Sequence, residues 1–148
     1  MNKPKHSDSI AFYNQNAESF FNNTVAVNLT DIYQQFLPLL PAQSNILDAG
    51  CASGRDSKYF IEQGFTVCAF DASKVLAEKA SEYLGFTVCE NTFEQYQNAN
   101  KFDGIWSCAS LLHIPSTQLN NAFANLASLL NSNGTLSALI FFQGVVNS

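Results

Sequence analysis

The sequence predicts an α/β fold built on a mostly parallel sheet, and three observations carry that prediction. Short apolar runs alternate with segments of helical spacing; two of the helical segments stop at a glycine, Gly64 and Gly85; and the first apolar run, Asn45–Ala49, empties into a loop of tiny residues that opens a helix. Strands and helices in alternation pair in parallel through right-handed crossovers, because a right-twisted strand feeds a helix back onto its own sheet only with that hand.

Taken in order, Ser9 to Phe21 and Asp31 to Leu37 place apolar residues at helical spacing, and Pro38 and Pro41 close the second of these helices. Asn45 to Ala49 is the first strand. Ser57 to Gln63 is a helix ended by Gly64, and Thr66 to Phe70 is the second strand. Ser73 caps a helix that runs through Leu84 and stops at Gly85. Thr87 to Cys89 makes a short third strand, Phe102 to Ser107 a fourth, and Ser116 to Leu130 a helix. Thr135 to Phe142 is a fifth strand after the turn Asn131-Ser-Asn-Gly134.

The chemistry concentrates after the first two strands. Asn45 to Asp56 reads Asn-Ile-Leu-Asp-Ala-Gly-Cys-Ala-Ser-Gly-Arg-Asp. Small side chains at Gly50, Ala52 and Gly54 let a ligand lie against the backbone, and the amides that open the next helix offer donors and a positive dipole end. Asp71 follows the second strand about 20 residues further on, where a carboxylate accepts from two ribose hydroxyls. A nucleoside-bearing cofactor is expected. The dinucleotide pattern G-x-G-x-x-G fails at Ala52 and Ser53, which argues against a nicotinamide-dependent oxidoreductase.

With Asp48, Gly50 and Gly54 in place and Ala52 at the middle glycine, the loop resembles the first motif of class I S-adenosylmethionine-dependent methyltransferases, [D/E]-x-G-x-G-x-G. Phe102 to Pro115 resembles that family's fourth-strand motif ending in Leu-His-x-Pro, and Phe12 to Phe20 is similar to the Tyr-x-x-x-Ala lid segment of its small-molecule members. The resemblance covers nearly the whole chain and is nearest to the tellurite-resistance and quinone-biosynthesis group. It implies a three-layer Rossmann-like fold, S-adenosyl-L-methionine as cofactor, and methyl transfer to a small-molecule acceptor. It also implies roles: Gly50, Cys51 and Ala52 under methionine and ribose, Asp71 on the ribose, Ala72 and Phe93 against adenine, with Thr92 beside them. Ser107 and Cys108 follow the fourth strand, Cys108 near the amino group through its carbonyl, and Asp48 organises the loop.

Each role has a plainer rival in the residues themselves. Asp71 is either a ribose ligand or a helix cap, and Phe93 either an adenine contact or core. Arg55 either reaches the cofactor carboxylate or pairs with Asp56 or Glu62. Tyr13 either covers the sulfonium with its ring or helps glue the arm down. His113 is a weak candidate for a general base, with a structural role as its rival.

Composition sets the frame. The chain has 148 residues, 47% of them hydrophobic, enough for one compact domain: residues 1–44 as a helical arm or lid and residues 45–148 as the cofactor-binding part. A net charge of -5, with seven Lys and Arg scattered along the chain, argues against a nucleic-acid partner. Cys51, Cys68, Cys89 and Cys108 lack metal-ligand or disulfide spacing, so a metal site is not expected and a reducing, cytoplasmic setting is. No segment has the length of a membrane span, and Met1 to Ser9 lacks the apolar run of a leader.

The family usually continues past the fifth strand with a helix and two more strands, whereas this sequence stops six residues after Phe142. The expectation is a sheet lacking its last strands, an acceptor site that is either complete or not, and an apolar fifth-strand edge that supports a homodimer. A cofactor-binding domain without catalysis is therefore the alternative function.

Overall fold

The computed structural model describes residues 6–25, 28–108 and 116–139. Within them the order is α1 (His6–Gln15), α2 (Ala17–Thr24), α3 (Thr30–Phe36), a 3-10 turn (Leu37–Leu39), β1 (Asn45–Ala49), α4 (Arg55–Glu62), β2 (Thr66–Asp71), α5 (Lys74–Leu84), β3 (Cys89–Glu90), β4 (Phe102–Cys108), α6 (Ser116–Ser128) and β5 (Leu130–Leu139). The sheet order is β3-β2-β1-β4-β5 with every pairing parallel. The chain works outward from β1 to one side, then crosses to β4 on the other. That reversal opens a crevice at the carboxyl ends of β1 and β4, the place where ligands bind in open parallel sheets.

The N-terminal helix expected over Ser9 to Phe21 is two helices. Asn16 turns the chain between them: its side-chain amide donates to the Phe12 carbonyl at 2.8 Å, competing with the helical ladder. Pro38 does not follow the helix end but sits inside the 3-10 turn, where its missing N–H costs nothing. The helix after β1 starts at Arg55, two residues earlier than its spacing suggests, because Gly54 enters it from a left-handed conformation at φ 86°. Ser73 accepts from the Leu76 amide at the start of α5, and Gly85 closes α5 at φ 81°.

Two strand boundaries also differ. Ser81 Oγ takes the Val88 amide at 2.8 Å, which keeps the ladder from starting before Cys89. At the other edge, the turn expected at Asn131 to Gly134 is absorbed into β5 as an irregularity. Phe102 pairs with Leu130 and Gly104 with Thr135, while Asn131 Nδ2 donates to Asp103 Oδ1 at 3.1 Å across the bulge.

Both faces of the sheet are covered. On one, Leu47, Ala49, Phe70, Phe93 and Ile105 pack against Ala122 and Leu126 of α6. On the other, Tyr33, Phe36 and Leu40 pack with Phe60 on Ile46 and Trp106. Gly104 makes the second contact possible, since a Cβ there would lie 2.8 Å from Leu40 Cδ1 and 2.9 Å from Phe36 Cζ. Overpacking of that kind costs about 1–3 kcal/mol. The α3 segment is thus fastened to β4, the strand that carries Ser107 and Cys108 at its end.

Candidate cofactor site

Three residues of the loop after β1 are left-handed: Gly50 at φ 72°, Ala52 at φ 51° and Gly54 at φ 86°. Ala52 therefore occupies, with a side chain, the conformation that the family's middle glycine would supply freely. The Gly50 and Cys51 amides both donate to the Phe70 carbonyl, at 3.0 and 2.9 Å, which pins the loop to the end of β2. The Ala52 amide donates to Asp71 Oδ2 at 2.8 Å, and the Ser73 amide to Oδ1 at 2.9 Å. An ionised carboxylate has about four acceptor positions, so Asp71 retains room for two more donors. Burial pushes its carboxyl above the usual carboxylate range, against the pull of the Ser73 and Ala52 amides.

Gly54 serves a different neighbour. A Cβ there would meet Leu84 Cδ1 at 3.1 Å and Ala80 Cβ at 3.5 Å, so its missing side chain admits α5 against the loop. Asp48 is sealed from solvent and accepts from Ser57 Oγ at 2.7 Å, tying β1 to α4. Burial, then the charge of Asp56, raises its carboxyl well above the ordinary range. Cys51 is buried beside it, and burial likewise pushes its thiol far up, leaving it protonated and unreactive.

Arg55 pairs with Asp56, Nε to Oδ1 at 2.8 Å, and its Nη2 lies 3.8 Å from Cys108 Sγ. Burial works against its charge, and the bond to Asp56 outweighs that, so the guanidinium stays charged. Asp56 also accepts from the Tyr33 hydroxyl and, at 2.8 Å, from Trp106 Nε1. This buried hub was not singled out from sequence except as a partner for Arg55; a lone tryptophan in an apolar strand, whose N–H must find an acceptor, was the available signal. Burial and the nearby Asp56 hold the Cys108 thiol up at about 11.

Tyr13 is half-buried, and burial followed by the charge of Asp71 raises its phenol. Ala72 is half-buried between Asp71 and Ser73. Phe93 is 5% exposed, its ring edge-on to Phe70 at 5.5 Å, so nearly all of it lies in the core. Asn125 of α6 steadies the segment behind it, donating to the Phe93 and Tyr96 carbonyls at 2.7 and 3.0 Å. Among the described residues Thr92 Oγ1 and Ser107 Oγ are buried and lack a hydrogen-bond partner. His113 and the rest of the Leu-His-x-Pro segment lie outside the described residues.

The residues present fit a cationic nucleoside. Asp71 keeps acceptor positions for hydroxyl donors, and among the described residues the buried hydroxyls of Thr92 after β3 and Ser107 near the end of β4 lack hydrogen-bond partners. A cleft of about 280 Å³ lies elsewhere, lined by Tyr33, Arg55, Lys58, Tyr59, Glu62 and Tyr83, with no strand-end residue among its walls. Among the described residues no cluster of His, Cys, Asp and Glu could hold a metal ion, and no helix is long and apolar enough to cross a membrane.

A fold of this strand order with this loop defines the class, and comparison with known proteins agrees. A family model described as a methyltransferase domain matches residues 21–143, and the chain belongs to that family. A methyltransferase of Bacillus cytotoxicus, named as uncharacterised, is 29% identical over 94 residues, covering 62% of this chain and 44% of that protein. Among solved structures, a TehB-like SAM-dependent methyltransferase from Corynebacterium glutamicum has a TM-score of 0.71 at 20% identity, covering 91% of this chain and 79% of that one. The N-methyltransferase NodS from Bradyrhizobium japonicum, solved with S-adenosyl-L-homocysteine, has a TM-score of 0.65 at 21% identity, covering 79% and 67%. A sugar N-methyltransferase from Streptoalloteichus has a TM-score of 0.70 at 16% identity, covering 84% of this chain and 51% of that one. At these identities the likeness is one of fold. The chain spans about half the length of the Bacillus cytotoxicus relative and of the Streptoalloteichus enzyme.

Proposed function

We propose that this chain binds S-adenosyl-L-methionine at the carboxyl ends of β1, β2 and β4 and transfers its methyl group to a small-molecule acceptor. The observation that carries the reading is Asp71, fixed by the Ala52 and Ser73 amides at the lip of a left-handed loop with acceptor positions to spare. Family membership and the neighbours named above support it.

Bound there, the cofactor supplies a methyl group on a positively charged sulfur, open to in-line attack by a nucleophile. The chain's part is to bind and orient. Asp71 takes the ribose hydroxyls; Gly50, Cys51 and Ala52 offer backbone against ribose and methionine; Ala72 and the edge of Phe93 flank the base, with Thr92 Oγ1 a free polar atom beside it. Ser107 Oγ and the Cys108 carbonyl stand at the amino-acid end. A carboxylate at Asp71 suits a ligand that carries a positive charge. No group here is assigned as a base, because an amine or thiol acceptor needs alignment more than proton transfer. The scattered basic residues favour a small acceptor over nucleic acid, and four free cysteines fit a reducing cytoplasm.

Calorimetric titration with S-adenosylmethionine and, separately, a nicotinamide dinucleotide tests the reading, followed by a methyl-transfer screen on small amines, thiols and sugars. Saturable binding of the first alone is expected. Binding of the dinucleotide alone would overturn the reading, and binding without turnover would leave a cofactor-binding domain.

A further inference from the structure

Asn14 lies on α1, but its side chain is spent on α5. Its Oδ1 accepts from the Ser73 hydroxyl at 2.5 Å and from the Val75 amide at 3.3 Å. Ser73 is itself the cap of α5, accepting from the Leu76 amide at 3.2 Å, and its own amide holds Asp71 Oδ1 at 2.9 Å. An arm residue, a helix cap and the carboxylate at the lip of the loop thus form one chain of hydrogen bonds. The adjacent Tyr13 feels the charge of that same carboxylate. Further along, the ring of Phe21 on α2 meets Tyr83 edge-on at 5.6 Å, so the arm runs along α5 with Asn14 fastening one end and Phe21 the other.

The hydroxyl of Ser73 has one proton to give, and Asn14 takes it. That fixes the rotor of the cap, and with it the turn from Asp71 to Ser73 on which the carboxylate's orientation depends. We propose that Asn14 is a positioning residue for cofactor binding: by accepting from Ser73 it holds the Asp71 turn in its binding geometry. The inference rests on the cofactor reading above. An asparagine that merely anchored the arm would affect stability and leave affinity alone.

The test is calorimetric titration of S-adenosylmethionine into the unsubstituted chain, Asn14→Leu, Ser73→Ala and the double variant, with a thermal melt of each without cofactor. Asn14→Leu keeps the side chain's size and removes the acceptor of Ser73 and Val75, and Ser73→Ala removes the shared bond from the other side together with the cap on the Leu76 amide, a loss the thermal melts register. Each single change is expected to weaken binding roughly five- to twenty-fold, the range of one hydrogen bond to a preorganised site. The double variant should be no more than about two-fold weaker than the worse single one, because the bond that both remove is the one that links Asn14 to the Asp71 turn. Unchanged affinity in a cooperatively melting Asn14→Leu protein overturns the proposal, as does a double variant whose losses multiply. No binding by the unsubstituted chain would instead overturn the cofactor reading, and this role with it.

Discussion

The amide of Ala52 donates to the carboxylate of Asp71 at 2.8 Å, joining the loop after β1 to the end of β2 across 19 residues of sequence. One carboxylate therefore shapes the loop and, on the proposed reading, takes the cofactor's ribose. Asp71→Ala is expected to weaken S-adenosylmethionine binding by about 1–3 kcal/mol, the cost of leaving polar partners unmet. Because burial raises this carboxyl, it takes up a proton at a higher pH than an exposed aspartate does. Affinity should be full above that point and fall as pH drops through it, and Asp71→Asn should flatten the profile. Calorimetry across acidic to neutral pH measures both.

The left-handed loop gives opposite expectations at two neighbouring positions. Gly50→Val puts a branched side chain at φ 72° and into cofactor space, so binding is lost and stability falls by about 1–2 kcal/mol or more. Ala52→Gly relieves the strain at φ 51° and should keep binding while raising stability by up to about 1 kcal/mol. Denaturant melts with and without cofactor separate the two; equal affinity in Gly50→Val would remove the cradle from the reading.

Asp48 makes stability depend on pH in an unusual direction. Its folded carboxyl is raised by burial and by Asp56, so between its unfolded and folded values the native state holds a proton that unfolding releases. This group's contribution to stability therefore falls as pH rises through that window. Asp48→Asn keeps an acceptor for Ser57 and removes the ionisable group. At neutral pH the variant should be the more stable of the two. The gain should vanish under strongly acid conditions. Thermal melts from acid to neutral pH check this, and a destabilised variant at neutral pH would refute it.

The fifth strand bears on association. Among the described residues β5 pairs with β4 alone, and Leu136 and Ala138 turn one face to the core. Its other edge offers unpaired backbone, a template for a second strand. Concentration-dependent association is expected by light scattering, reduced by Ser137→Lys, which sets a charge on the opposite face. A monomer at all concentrations would show that this edge is covered.

Most strands and helix ends were legible because their signals are local. Asn45–Ala49 begins and ends where its apolar run does, and Ser73 and Gly85 bound α5 through capping chemistry readable from one residue. What sequence missed depends on partners far along the chain. Asn16 breaks an otherwise helical pattern, and the Asn131 to Gly134 stretch joins β5 because β4 offers it Asp103. At the site, Gly50 and Asp71 announced themselves by spacing. Asp56, bonded to Trp106 50 residues away, and Asn14, bonded to Ser73 59 residues away, did not, since no short motif encodes contacts at that range.

Trp106 is the chain's single tryptophan, wholly enclosed, and its indole N–H ends on Asp56, which also pairs with the Arg55 guanidinium. The protein thus carries one indole, which red-edge excitation selects over its five tyrosines, placed where both its hydrophobic enclosure and its charged neighbours matter. Its emission should be blue-shifted in the native state and red-shifted on unfolding, and any ligand that disturbs Arg55 or Asp56 should alter its intensity. Folding, titration and ligand binding can therefore be followed optically in the unlabelled molecule, with no second indole to blur the signal.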